Sequence, residues 1–475
     1  MLTDLYEFSM ANGYYAILPH DRQARFDVFY RRVPDNGSFV IAAGLQQVVE
    51  QVANWHFSKE NIEYLKLLKE FSPNFLDYLS KIKNGCTIQA LPEGTPVFPR
   101  EPIISISGPL IEAQLLETFV LNIINHQSLI ATKSWQINHA AQGLPIMEFG
   151  ARRAQGPDAA TYGARAAVIG GCTSTSNLQA ASQFHIPAAG TMAHAWVESF
   201  PDELSAFQAW AKVYPNKISL LVDTYDVLKS GVPNAIRVFK QARANGHEPV
   251  GIRIDSGDIS QLAIKARQML DEAGFLKAKI TASNALDAHV VKSLLDEGAP
   301  IDNFGIGESF TSSSSPVLSG VYKLAEEKVN GKWIPTIKVS DSREKVTIPG
   351  NKQVYRIYSN DLPNKAIADV IALADEPITA PLKVVNSNPT ATNASQVLAN
   401  FTAKPLLKTY LTAGQPVKVE TDVFKIQQTS RQLLAQLPEA SKRLVNPDRY
   451  PVYLTAKLAD LQEQLITKAQ FAEEN

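Results

Sequence analysis

PIMEFG (145–150), GCTSTSN (171–177), PAAGTMAH (187–194), ISLLVDTYD (218–226), PVGIRIDSGD (249–258), AKITASN (278–284) and DNFGIG (302–307) are short, largely apolar runs that punctuate the middle of this 475-residue chain. Between them lie amphipathic stretches such as PNAIRVFKQARANG and SQLAIKARQMLDEAGF, which stop at or near glycine as helices often do. From about Leu144 to Phe310 the alternation is that of repeated strand-helix units around a parallel sheet. Seven units are one short of a complete (β/α) barrel, and GVYKLA (320–325) is a candidate for the eighth strand. No GxGxxG follows the first run, and the units continue too regularly for two separate halves. An irregular α/β barrel is therefore expected ahead of an open doubly wound sheet.

Outward from this centre the pattern changes. RFDVFYRRV and FVIAAGL read as strands, ENIEYLKLLKEF as a helix, and CTIQALPEGTPVFP and PIISISGP as strands broken by turn residues. LIEAQLLETFVLNIINHQSLIATKSWQI is a helical passage into the barrel. On the far side TIPGNKQVYRIYS, DVIALAD and PLKVV read as strands, and RQLLAQL and YLTAKLADLQEQLITKA as amphipathic helices covering a core or a partner subunit. The expected divisions are an N-terminal α+β domain over 1–130, the barrel over 131–340, and a C-terminal extension over 341–475 that packs on the N-terminal domain.

Composition narrows the function. Hydrophobic residues make up 45% and charged residues 20%, with a formal net charge of -1, so no field attracts a nucleic acid. A few arginines suffice to bind a small phosphorylated ligand all the same. Cys86 and Cys172 stand far apart and suit neither a disulfide framework nor a zinc site. The opening MLTDLYEFSMANGYY carries acids instead of a basic stretch and an apolar region, and no apolar run approaches the roughly 20 residues that span a bilayer. A cytoplasmic protein without membrane partners is expected.

Barrels place chemistry at the C-terminal ends of their strands. Those ends carry Arg152 and Arg153, Ser174, Ser176 and Asn177, His194, Asp223 and Asp226, Arg253, Asp255 and Asp258, Ser283 and Asn284, and Gly305 and Gly307. Arginines, carboxylates and backbone amides beside Gly and Ser suit a phosphorylated ligand carrying Mg2+. No lysine stands at these ends, which weighs against a Schiff-base aldolase, and His-rich metal spacing is missing. Individually the residues have bland readings too. His194 reads either as a hydrogen-bonded structural residue or, with Gly190 and Thr191 just before it, as a phosphoryl nucleophile. Asp255 and Asp258 fit an N-cap with a core-edge salt bridge, or a site in which Asp255 holds Mg2+ or ribose and Arg253 an anionic group. Asp223 could end a strand or orient His194. The Ser-rich GESFTSSSSPVLSGVYK (307–323) suits a linker or a phosphate-contacting loop.

LTDLYEFSMANGYY, FYRRVP, EFGARRAQGPD, GTMAHAWVESF, LLVDTYDVLKSGVPNA, GIRIDSGD, FGIGES and GVYKL, in this order and over most of the chain, resemble the nicotinate phosphoribosyltransferases. The resemblance implies an irregular α/β barrel with a flanking α+β domain, and a homodimer with shared active sites. It also implies an ATP-coupled conversion of nicotinate and 5-phosphoribosyl 1-diphosphate to nicotinate mononucleotide, the first step of NAD salvage from nicotinate, with Mg2+. Under it His194 is the histidine that ATP phosphorylates, supported by Asp223. Thr191 and Arg253 contact nicotinate, whose ring lies between Phe149 and the partner's Tyr6. Arg152, Ser283, Asn284, Gly305 and Gly307 contact phosphoribosyl diphosphate, with Arg31, Arg32 and Lys323 as further phosphate candidates, and Asp255 is the ribose or Mg2+ ligand. Many family members have Thr where this chain has Glu308; Thr311 is the substitute phosphate contact, or Glu308 turns away. The competing readings are a nicotinamide or quinolinate phosphoribosyltransferase and a non-catalytic phosphate-binding regulatory barrel.

Overall fold

The computed structural model describes residues 1–311, 317–362, 364–388 and 395–473, the side chains of 471–473 excepted. It forms two compact units, one of residues 130–316 and one of residues 1–129 together with 317–475.

The 130–316 unit is the α/β part. Its strands are Ile146–Glu148, Ser174–Thr175, Ser219–Leu221, Gly251–Ile254, Lys279–Ser283 and Asn303–Ile306, all parallel. Each strand pairs with its successor in the chain where a ladder exists, and the last, 303–306, closes on the first, 146–148. The run 187–194 joins as a parallel bridge from Ala188 to Thr175. All seven apolar runs thus contribute, in cyclic order. Among the described residues no ladder joins the 187–189 segment to the 219–221 strand, so the barrel is irregular, with an open seam. Ile218, Leu220, Leu221, Val222, Ile252, Ile254, Ile280, Ala282, Phe304 and Ile306 are fully buried, as strands with covered faces require. Helices return between them: Val232–Ala244, Ile259–Glu272 and Ala288–Asp296 each turn an apolar stripe inward.

GVYKLA is not the eighth barrel strand. It opens Gly320–Val329, which pairs antiparallel with Gln23–Tyr30 in the other unit. That seven-stranded sheet runs 332–335, 320–329, 23–30, 104–109, 87–90, 408–412, 415–416. A six-stranded sheet is built wholly from residues beyond 350 and contains a fully buried pair, Arg356 with Asp369 at 2.8 Å. Helix Leu5–Ile17 opens the chain with Asp4 and Glu7 at its N-cap and N3 positions. The passage LIEAQLLETFVLNIINHQSLIATKSWQI breaks into helices Leu110–Gln114 and Glu117–Ala140. No helix among the described residues is long and apolar enough to cross a membrane.

Candidate active site

At the C-terminal ends of the barrel strands the acidic and amide side chains sort into two kinds. Asn177, Asp226 and Asp258 cap the helical segments that follow them, each accepting backbone N–H groups through its side chain. Asp223 and Asp255 cap nothing. One Asp223 oxygen accepts the Asp255 N–H at 3.1 Å and the Ser256 hydroxyl, while the other, Oδ1, is buried without a hydrogen-bond partner. Asp255 accepts the Ser283 hydroxyl on one oxygen, and its other lies 3.8 Å from His194 Nε2. His194 Nδ1 is 3.2 Å from the Thr224 hydroxyl, so Thr224 and not Asp223 makes the contact there. Both His194 and Asp255 keep part of their surface open, at 40% and 35% of the side chain, which leaves the imidazole reachable.

Arg253 lies on the same rim. Its guanidinium donates to the Thr191 hydroxyl at 2.7 Å and to the Met192 carbonyl at 3.1 Å, and its Nε is buried without a partner. Burial pulls it below the usual arginine range; Asp255 and Asp223 oppose that pull and Arg152 adds to it. A desolvated cation of this kind gains strongly from an anionic ligand.

Phe149 rests directly on two glycines. A side-chain carbon at Gly305 would lie 2.4 Å from the Phe149 ring, and one at Gly307 would lie 2.6 Å from its carbonyl oxygen. Arg152 is exposed on the short turn Ala151–Arg153, and its neighbour Arg153 is 3.6 Å from Glu308. Glu308 therefore turns toward a cation, and the Thr311 hydroxyl donates to the Glu308 carbonyl at 3.4 Å. Asn284 is exposed and holds a φ of 108°, a left-handed backbone stabilised by the Leu286 N–H, which donates to the Asn284 carbonyl at 2.7 Å. Of the Ser-rich stretch, residues 312–316 lie outside the described residues.

The 1–129 and 317–475 unit carries the remaining candidates. Tyr6 is 46% exposed on the first helix, its phenol pushed up by burial and by Glu117 and Glu7. Arg31 lies over the Phe29 ring with its Nε buried and unpartnered, Arg32 pairs with Glu344 at 3.1 Å, and Lys323 lies 3.9 Å from Glu117. Arg100 is held down to about 10 by burial and by Arg31, and Lys323 is lowered by burial, Arg31 and Lys338. Arg100 and Lys338 thus join a cationic group that sequence reading missed, since nothing in their local motifs marks them. Among the described residues no cluster of three or more His, Cys, Asp or Glu is placed to hold a metal ion.

A parallel barrel whose strand ends gather a histidine, two uncapped aspartates and a desolvated arginine is the architecture of an α/β-barrel enzyme. Family models described as the nicotinate phosphoribosyltransferase N-terminal domain, family and C-terminal domain match residues 1–125, 144–361 and 351–462. A nicotinate phosphoribosyltransferase of Bacillus subtilis (strain 168) is 41% identical over 456 residues, 95% of this chain and 92% of the relative. One of Dictyostelium discoideum is 34% identical over 520 aligned residues, 98% of this chain and 88% of the relative. The crystal structure of human nicotinic acid phosphoribosyltransferase superposes with a TM-score of 0.86 at 29% identity, covering 98% of this chain and all of that one. The chain belongs to the nicotinate phosphoribosyltransferase family.

Proposed function

We propose that this enzyme transfers the phosphoribosyl group of 5-phosphoribosyl 1-diphosphate to nicotinate, driven by ATP through phosphorylation of His194. The observation that carries the reading is Arg253, a half-buried guanidinium whose buried Nε has no partner, beside an exposed Thr191, on the rim that also holds the His194–Asp255 pair. A pyridine carboxylate adds a charge-assisted partner for this cation, and a carboxamide does not. Relatives that bear the name nicotinate phosphoribosyltransferase over nearly their whole length support the same substrate.

In this reading Phe149 offers one face of the base pocket and Tyr6 of a second copy the other, so the working unit is a homodimer with shared sites. Arg152, Ser283, Asn284, Gly305, Gly307 and Thr311 receive phosphoribosyl diphosphate, and Arg31, Arg32 and Lys323 receive phosphate. Mg2+ binds phosphate ligands through one or two carboxylates and water, and the free Oδ1 of Asp223 with the half-open Asp255 suits that mode. The ion would neutralise charge on the departing diphosphate. The arginines hold the leaving group in place while the pyridine nitrogen attacks the anomeric carbon. His194, steadied by Thr224 and facing Asp255, accepts the γ-phosphoryl group of ATP with release of ADP, and water later takes it off. Cys86 and Cys172 are both buried and neither is in a disulfide, in keeping with a cytoplasmic enzyme.

The test is His194→Ala assayed with and without ATP. Nicotinate mononucleotide formation that persists but no longer responds to ATP is expected; full ATP-coupled turnover in the variant would overturn the assignment of His194.

A further inference from the structure

The strand that ends at Glu148 buries a carboxylate which the reaction outlined above does not use. Glu148 is 2% exposed. One oxygen accepts the Gly150 backbone N–H and the other the Thr175 hydroxyl. No lysine, arginine or histidine among the described residues pairs with it, and burial pushes its carboxyl above the usual range against those two donors. A buried charge without a cation is costly, so what its two hydrogen bonds hold in place matters.

They hold both sides of the pocket. Phe149 lies between Glu148 and Gly150, and its own N–H donates to the Ile306 carbonyl at 2.7 Å. The ring is seated on Gly305, and the chain just after it is fixed by the Gly150 bond. On the other side Thr175 receives the Asn177 N–H on its hydroxyl at 3.0 Å. Its backbone exchanges bonds with the neighbouring segment, donating to Pro187 at 3.1 Å and accepting from Ala189 at 2.9 Å. Two residues beyond Ala189 is Thr191, the hydroxyl that Arg253 grips. One carboxylate therefore links the chain that carries the aromatic face to the chain that carries the carboxylate grip.

We propose that Glu148 and Thr175 are specificity-determining positioning residues, which set the spacing between Phe149 and the Thr191–Arg253 pair and so select a flat aromatic monocarboxylate. The inference rests on the nicotinate reading above.

Thr175→Val removes the hydroxyl at nearly constant volume and Thr175→Ser keeps it, so this pair decides even where Glu148→Gln fails to fold. Steady-state kinetics on the full chain would be measured for both substrates, with melting temperatures and calorimetric binding of nicotinate. Thr175→Val and Glu148→Gln are expected to raise the nicotinate KM about tenfold or more, because both release the bond that sets the spacing of the substrate-positioning groups. The KM for phosphoribosyl diphosphate should stay within about twofold, and Thr175→Ser should restore nicotinate binding to within about threefold of the parent. An unchanged nicotinate KM in Thr175→Val, or a rise of both KM values in step with lost thermal stability, would overturn the proposal while leaving the nicotinate reading intact. A parent enzyme that neither binds nor converts nicotinate would overturn both.

Discussion

Gly305→Ala would set a methyl carbon 2.4 Å from Cε2 and 2.8 Å from Cδ2 of Phe149. Non-bonded carbons settle roughly 3.5–4.0 Å apart, so the ring has to retreat by about 1 Å or more. The strand cannot yield in its place, because Gly305 is in register with Met147 on one side and Ser283 on the other. Overpacking of this kind costs about 1–3 kcal/mol, which lowers the melting temperature by several degrees. Displacing a substrate-positioning group by about 1 Å costs on the order of a hundredfold in rate. The assay is kcat/KM for nicotinate at saturating phosphoribosyl diphosphate and ATP, alongside a thermal melt. A second change, Phe149→Leu, should restore the melting temperature of Gly305→Ala without restoring turnover, since it removes the clash and the aromatic face together. Wild-type kcat/KM in Gly305→Ala would refute the placement of the base against Phe149.

Arg253→Leu should raise the nicotinate KM on the order of thirtyfold or more, as truncation of a buried charge partner costs about 2–5 kcal/mol, and should alter nicotinamide kinetics far less. An equal effect on both bases would contradict its role. Mixing inactive Tyr6→Ala with His194→Ala, which turns over without responding to ATP, should recover about a quarter of the wild-type ATP-stimulated activity if sites are shared across a two-fold dimer, and none of it if each chain works alone. Burial raises Glu7 to about 7 from an ordinary 4.5, opposed by its bonds from Thr118 and Asp4, and burial likewise raises Glu112 to about 7. The stability contributed by these neutral carboxyls is complete below pH 4.5 and is lost as pH rises through 7. Melts from pH 5 to 8 should show a falling midpoint that Glu7→Gln flattens; an unaltered slope in the variant would rule the residue out as a source.

The barrel is legible because both faces of its strands are covered, which writes a nearly continuous apolar run such as ISLLV into the sequence. GVYKLA misleads because its partner, Gln23–Tyr30, lies some three hundred residues away and nothing local encodes that pairing. The helix at Leu5–Ile17 carries a readable start signal in Asp4 and Glu7, which a reading of the N-terminus for charge alone overlooks. Short strands such as Ser395–Leu398, Phe401–Pro405 and Lys408–Thr412 offer too few alternations to stand out. At the site, spacing cannot separate Asp255 from Asp258, three residues on: one faces His194 and the other caps a helix. Thr224, Ser256, Glu148 and Thr175 escape sequence reading because short hydroxyls and a single acid at the end of an apolar run carry no pattern of their own. Their importance comes from rotamers and neighbours that only the fold supplies.

Nicotinate as the substrate is tested most directly by product formation from nicotinate, nicotinamide and quinolinate, each with phosphoribosyl diphosphate and Mg2+, with and without ATP. Nicotinate mononucleotide as the main product, its formation stimulated by ATP with release of ADP, is the expected result. Preference for nicotinamide or quinolinate, or no turnover of nicotinate, would contradict it.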